Sequence, residues 1–83
     1  MSATFKNTKI AVEISNLNKP KYGIATASGL ADERRFELQF SAENCGFIGL
    51  LIEDCDGNEI YFDDETEAGD AFPGVLDAIF ESI

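Results

Sequence analysis

The stretch FIGLLIEDCDGNEIYFDD, residues 47–64, decides the fold class. Residues 47–52 are apolar at both parities, the pattern of a strand buried on both faces. After a polar break, Ile60 and Phe62 continue an inner face with Tyr61 opposite, a period of two. Asp56-Gly57 sits between the two runs. It is a strong short-range hairpin signal, because Asp and Gly tolerate the positive φ of a type I′ turn. The segment therefore predicts two antiparallel strands in register.

Outward from this hairpin the strand pattern continues. Phe36, Leu38, Phe40 and Ala42 alternate with Arg35, Glu37, Gln39 and Ser41, the clearest strand in the chain. Tyr22, Ile24 and Thr26 begin a weaker one, broken near Ser28-Gly29. Thr8, Ile10, Val12 and Ile14 alternate with Lys9, Ala11, Glu13 and Ser15, and residues 16–21 (NLNKPK) read as the turn that follows. At the C-terminus the period changes. Ala68, Ala71, Phe72, Val75, Leu76, Ile79, Phe80 and Ile83 follow the three-and-four spacing of an amphipathic helix. Pro73 suits a first helical turn, so the helix is expected from Phe72 or Pro73, with Asp70 capping it and residues 65–71 a loop or single turn. The expected architecture is a single α+β domain over residues 1–83. It is an antiparallel meander of about five strands with one C-terminal helix packed on a face.

The chain has 83 residues, 45% of them hydrophobic and seven of them Phe, enough to build one real core. No run approaches the roughly 18 apolar residues of a membrane span. The alternating N-terminus MSATFKNTKIAVEIS does not read as a signal peptide, so a soluble, cytoplasmic protein is expected. Cys45 and Cys55 are the two cysteines. Ten residues of strand span on the order of 30 Å, whereas a disulfide needs Cα atoms roughly 5.5 Å apart. Free thiols in a reducing compartment follow. Without histidine, the two do not make a tetrahedral zinc site.

The net charge is −10, unevenly spread. Lys6, Lys9, Lys19 and Lys21 outnumber Glu13 in residues 1–31, and Arg34 and Arg35 are the last bases. Residues 36–83 carry thirteen carboxylates and no base, an excess that repels nucleic acid and anionic membranes and attracts basic surfaces. Direct nucleic-acid binding and membrane association are therefore not expected. Glu53, Asp54, Asp56, Glu59, Asp63, Asp64, Glu65, Glu67 and Asp70 form the densest series. An EF-hand reading of residues 54–65 finds Asp54, Asp56, Asn58 and Glu65 at ligand positions. It meets Glu59 where Gly is needed, and a strand where a helix should enter. Two readings remain, a solvated face that serves solubility and a patch presented to a basic partner. Like charges closer than a Debye length of about 8 Å repel, and an ordinary surface intersperses bases to relieve this.

Nothing in the chain signals catalysis. There is no histidine for acid–base work, no Gly-x-Ser-x-Gly elbow and no phosphate-cradling glycine loop. No enzyme, no cofactor and no metal are expected. One helix covers one face of a sheet, so Phe47, Leu51 and Tyr61 are expected on the other. That face would meet the N-terminal segment with Phe5, a second copy in a homodimer, or a partner. An assembly subunit using the Phe47–Leu51 face and a calcium module through residues 54–65 stand as alternatives to an acidic binding patch.

In size, charge and sheet-plus-helix architecture the chain resembles the small acidic inhibitors encoded by phages and mobile elements, including anti-CRISPR and other DNA-mimic anti-defence proteins. The carboxylate series from Glu53 to Asp70 carries the likeness. The resemblance implies competitive binding to a basic protein or ribonucleoprotein complex, with carboxylates standing where phosphates would. It also implies action in the host cytoplasm if the source is a phage.

Overall fold

The computed structural model describes residues 10–54 and 56–83. Five strands, β1 (Val12–Asn18), β2 (Ile24–Ala31), β3 (Arg34–Ser41), β4 (Phe47–Glu53) and β5 (Glu59–Phe62), form one antiparallel sheet in the order β1-β2-β3-β4-β5. Two helices follow, α1 (Glu65–Ala71) and α2 (Val75–Ser82). This is the expected α+β meander, with two short helices in place of one. Thr8 and Phe5 lie outside the described residues.

The inner face of the sheet builds the core. Phe36, Leu38 and Phe40 of β3 and Leu50 and Ile52 of β4 are buried against Ala68, Val75, Leu76 and Ile79 of the helices. Phe40 meets Phe80 edge-on with ring centroids 5.8 Å apart, and Phe62 meets Phe72 similarly at 5.9 Å. Such aromatic pairs add about 0.5–1.5 kcal/mol each beyond the area they bury.

β2 departs from the expectation in its facing. Ala25, Ala27 and Ala31 are fully buried, whereas Tyr22 and Ile24 stand in solvent. Large residues dominate a period-two reading, but here the small ones face inward and leave room for Phe40, Leu38 and Ile79. Nor does the strand break at Ser28-Gly29. It runs on to Ala31 because a side chain at Gly29 would overlap the Glu13 carbonyl, so only glycine lets β1 lie this close. Opposite it, the register shifts between Ile14 and Asn16. This bulge at Ser15, whose Oγ donates to the Ser28 carbonyl at 3.2 Å, keeps β1 paired through Asn18. The turn expected over residues 16–21 therefore starts only after Asn18.

Two further corrections concern the turns and the helices. The β4–β5 hairpin closes between Asp54 and Asn58, with Asp54 N donating to Asn58 O at 2.8 Å and Gly57, left-handed at φ 85°, donating its N–H to Asp54 O at 3.1 Å, so it is longer than the expected two-residue type I′ turn. The two-residue turn with both φ positive is Asp32–Glu33, at 54° and 67°, between β2 and β3. At the C-terminus, Asp70 lies inside α1 and caps nothing there; Asp64 is the cap. Its carboxylate accepts from Thr66 N at 2.8 Å and Glu67 N at 3.2 Å. Pro73 disfavours a helical conformation at Phe72, which takes φ −132° and ψ 77°, and left-handed Gly74 then starts α2. The apolar spacing is real, but it runs through two helices.

Candidate partner-binding surface

The acidic series occupies the β5 side of the molecule. In an antiparallel meander alternate turns share an end, and β5 is an outer strand. Glu53, Asp54, Asp56 and Glu59 surround the β4–β5 turn, with Glu53 and Glu59 facing each other across the ladder. Asp63, Asp64, Glu65, Glu67 and Asp70 run from the far end of β5 into α1, which packs on β4 and β5. Lys19 and Lys21 sit in the β1–β2 turn, on the opposite edge of the sheet. Charge is thus polarised across the sheet.

Three of the nine carboxylates have structural duties. Asp54 Oδ1 accepts from Asp56 N and Asn58 N, each at 2.9 Å, and shapes the turn. The N–H of Asn58 is the first cause that holds the Asp54 carboxyl below its ordinary value, against the opposing effect of desolvation. Glu53 Oε2 lies 3.8 Å from Arg35 Nε and accepts from the Arg35 backbone N–H at 3.4 Å through Oε1. Asp64 caps α1. The other six, Asp56, Glu59, Asp63, Glu65, Glu67 and Asp70, are exposed.

Sequence reasoning missed Asp32 and Glu33. Their turn shares an end with the β4–β5 turn, two strand spacings or about 10 Å away. The meander order alone would have found them, because it makes the second and fourth turns neighbours. Nearby, the Arg34 guanidinium stacks over the Phe72 ring, 5.4 Å from its centroid.

Of the residues expected on the second face, Leu51 and Tyr61 are there and Phe47 is not. The register shifts between Gln39 and Phe40, so Phe47 faces Phe40 and packs on the core. That bulge at Ile48 defeats strict alternation along β4. Tyr61 lies across Gly49, where a side chain would collide with its hydroxyl. Cys45 is a free, exposed thiol, and Cys55 lies outside the described residues. Among the described residues, no three His, Cys, Asp or Glu side chains converge as a metal would require. Among the same residues, no helix is long and apolar enough to cross a membrane.

No family model matches this chain, and neither a curated protein nor a solved structure matches it.

Proposed function

We propose that this protein is a small acidic inhibitor. It would bind a basic, nucleic-acid-handling partner, such as a CRISPR effector complex or a nuclease, and block the nucleic-acid site by charge mimicry. One observation carries the reading: six exposed carboxylates project from β5, the segments flanking it and α1, all at the β5 edge of the sheet. Grooves built for polynucleotides gain much of their affinity by neutralising regularly spaced phosphates. Carboxylates held on a strand and a helix compete there without the entropy loss of ordering a flexible polyanion. No chemistry is asked of the protein.

Affinity capture from the native host at low and high salt tests this. A basic nuclease or surveillance complex should be retained near 0.1 M salt, where the Debye length is about 10 Å, and lost near 1 M, where it is about 3 Å. Charge reversal at Asp63, Glu65, Glu67 and Asp70 should abolish the capture and restore nucleic-acid binding by the partner. Asp64 is left intact because it holds α1. If the partner still binds the reversed variant, and nucleic acid remains excluded, charge mimicry is wrong.

A further inference from the structure

Both helices pack on the inner face of the sheet, and among the described residues no element covers the outer face. That face is laid out in rows across the strands. One row runs Asn16, Ser28, Glu37, Leu51, Tyr61, and the next runs Glu13, Leu30, Arg35, Glu53, Glu59. Apolar side chains flank a charged central strand: Tyr61 is 56% exposed on β5 with Leu51 partly exposed beside it on β4, and Leu30 is 38% exposed on β2, with Arg35 and Glu37 of β3 between. Two shallow hollows of about 180 and 280 Å³ flank Arg35, floored by Ser28, Gly29 and Leu51.

We propose that the outer face is a docking site for a basic amphipathic helix of a partner protein. Charge selects this occupant over a second copy. Glu13, Glu37, Glu53 and Glu59 against Arg35 leave a net −3 on the face, so two copies placed face to face would bring like charge together. A helix with Leu or Ile along one stripe and Lys or Arg beside it satisfies both parts. The stripe meets Leu30, Leu51 and Tyr61, and the bases meet the four carboxylates. The dimensions agree, since five strands span about 20 Å and a helix of roughly four turns has the same length. This face adjoins the acidic β5 edge and shares Glu53 and Glu59 with it, and the inference holds whether or not the partner handles nucleic acid.

The test uses the full chain and a Leu/Lys amphipathic model peptide of roughly sixteen residues, with a Leu/Glu peptide of equal length as control. Amide shifts should concentrate at Leu30, Leu51 and Tyr61. Tyr61→Ser or Leu30→Gln should weaken Kd roughly tenfold, and the Leu/Glu peptide should not bind. Leu30→Gln serves where Tyr61→Ser lowers Tm, since it leaves the Tyr61–Gly49 contact in place. Charge reversal at Asp63, Glu65, Glu67 and Asp70, which abolishes capture under the proposed function, should change this Kd less than either face variant. The proposal is overturned if edge and face variants weaken the peptide equally, which would mean net charge alone drives it. It is equally overturned if sedimentation shows a dimer that Tyr61→Ser dissolves, or if the face binds the peptide only once residues 1–9 are removed.

Discussion

Asp54 is charged, acidic by context and nevertheless structural, because its oxygen is committed to the N–H groups of Asp56 and Asn58. A carboxyl whose folded pKa is depressed contributes stability that is fully present above its unfolded value and is lost as pH falls through the folded one. Asp54→Asn should therefore lower Tm at neutral pH. The gap to the native protein should close as pH drops below the ordinary 3.8. Melts from about pH 7 to about pH 2 measure it, and a gap that ignores pH would refute the assignment. Glu33 presents the reverse case, a side chain held at φ 67° where L-residues are strained. Glu33→Gly should raise stability by up to about 1 kcal/mol in denaturant titration. If binding to the basic partner weakens at the same time, the strain is retained for the carboxylate.

The strands owe their pairing to two glycines that act differently. A methyl at Gly29 meets the backbone carbonyl of Glu13, which cannot move without opening β1. At Gly49 it meets the end of the exposed Tyr61 side chain, which can swing away. Gly29→Ala should destabilise at the upper end of the roughly 1–3 kcal/mol typical of overpacking, and Gly49→Ala by clearly less. Urea unfolding of the two variants side by side reads the difference, and equal losses would contradict the bulge geometry. Among the helices, α1 was legible in the sequence in a way periodicity does not reveal. Asp64-Glu65-Thr66-Glu67 places an acceptor at the N-cap and a Glu three residues later, the pattern of a capping box. Apolar spacing runs unbroken through Pro73 and so conceals the boundary.

Across the whole molecule, the charge asymmetry has an energetic consequence independent of any partner. Carboxylates on the β5 side repel one another at separations that salt screens only partly, since the Debye length falls from about 30 Å at 0.01 M to about 8 Å at 0.15 M. Tm should therefore rise with NaCl over that range. Calorimetry in NaCl checks this, and a Tm that falls would mean attractive pairs such as Arg35–Glu53 outweigh the repulsion. A bound basic partner should remove the dependence, because it neutralises the same groups.

Composition and period were enough to determine an antiparallel meander, the clear β3 pattern and the acidic half. These depend on local pattern and on summed charge, which the chain carries regardless of how it folds. Tertiary structure alone decided which parity of β2 faces inward and that Phe47 turns to the core. The physical reason is common to both: facing follows from register, and register is fixed by the neighbouring strand, which sets Ala25 and Ala27 opposite Phe40 and Leu38 and, through the bulge near Ile48, sets Phe47 opposite Phe40.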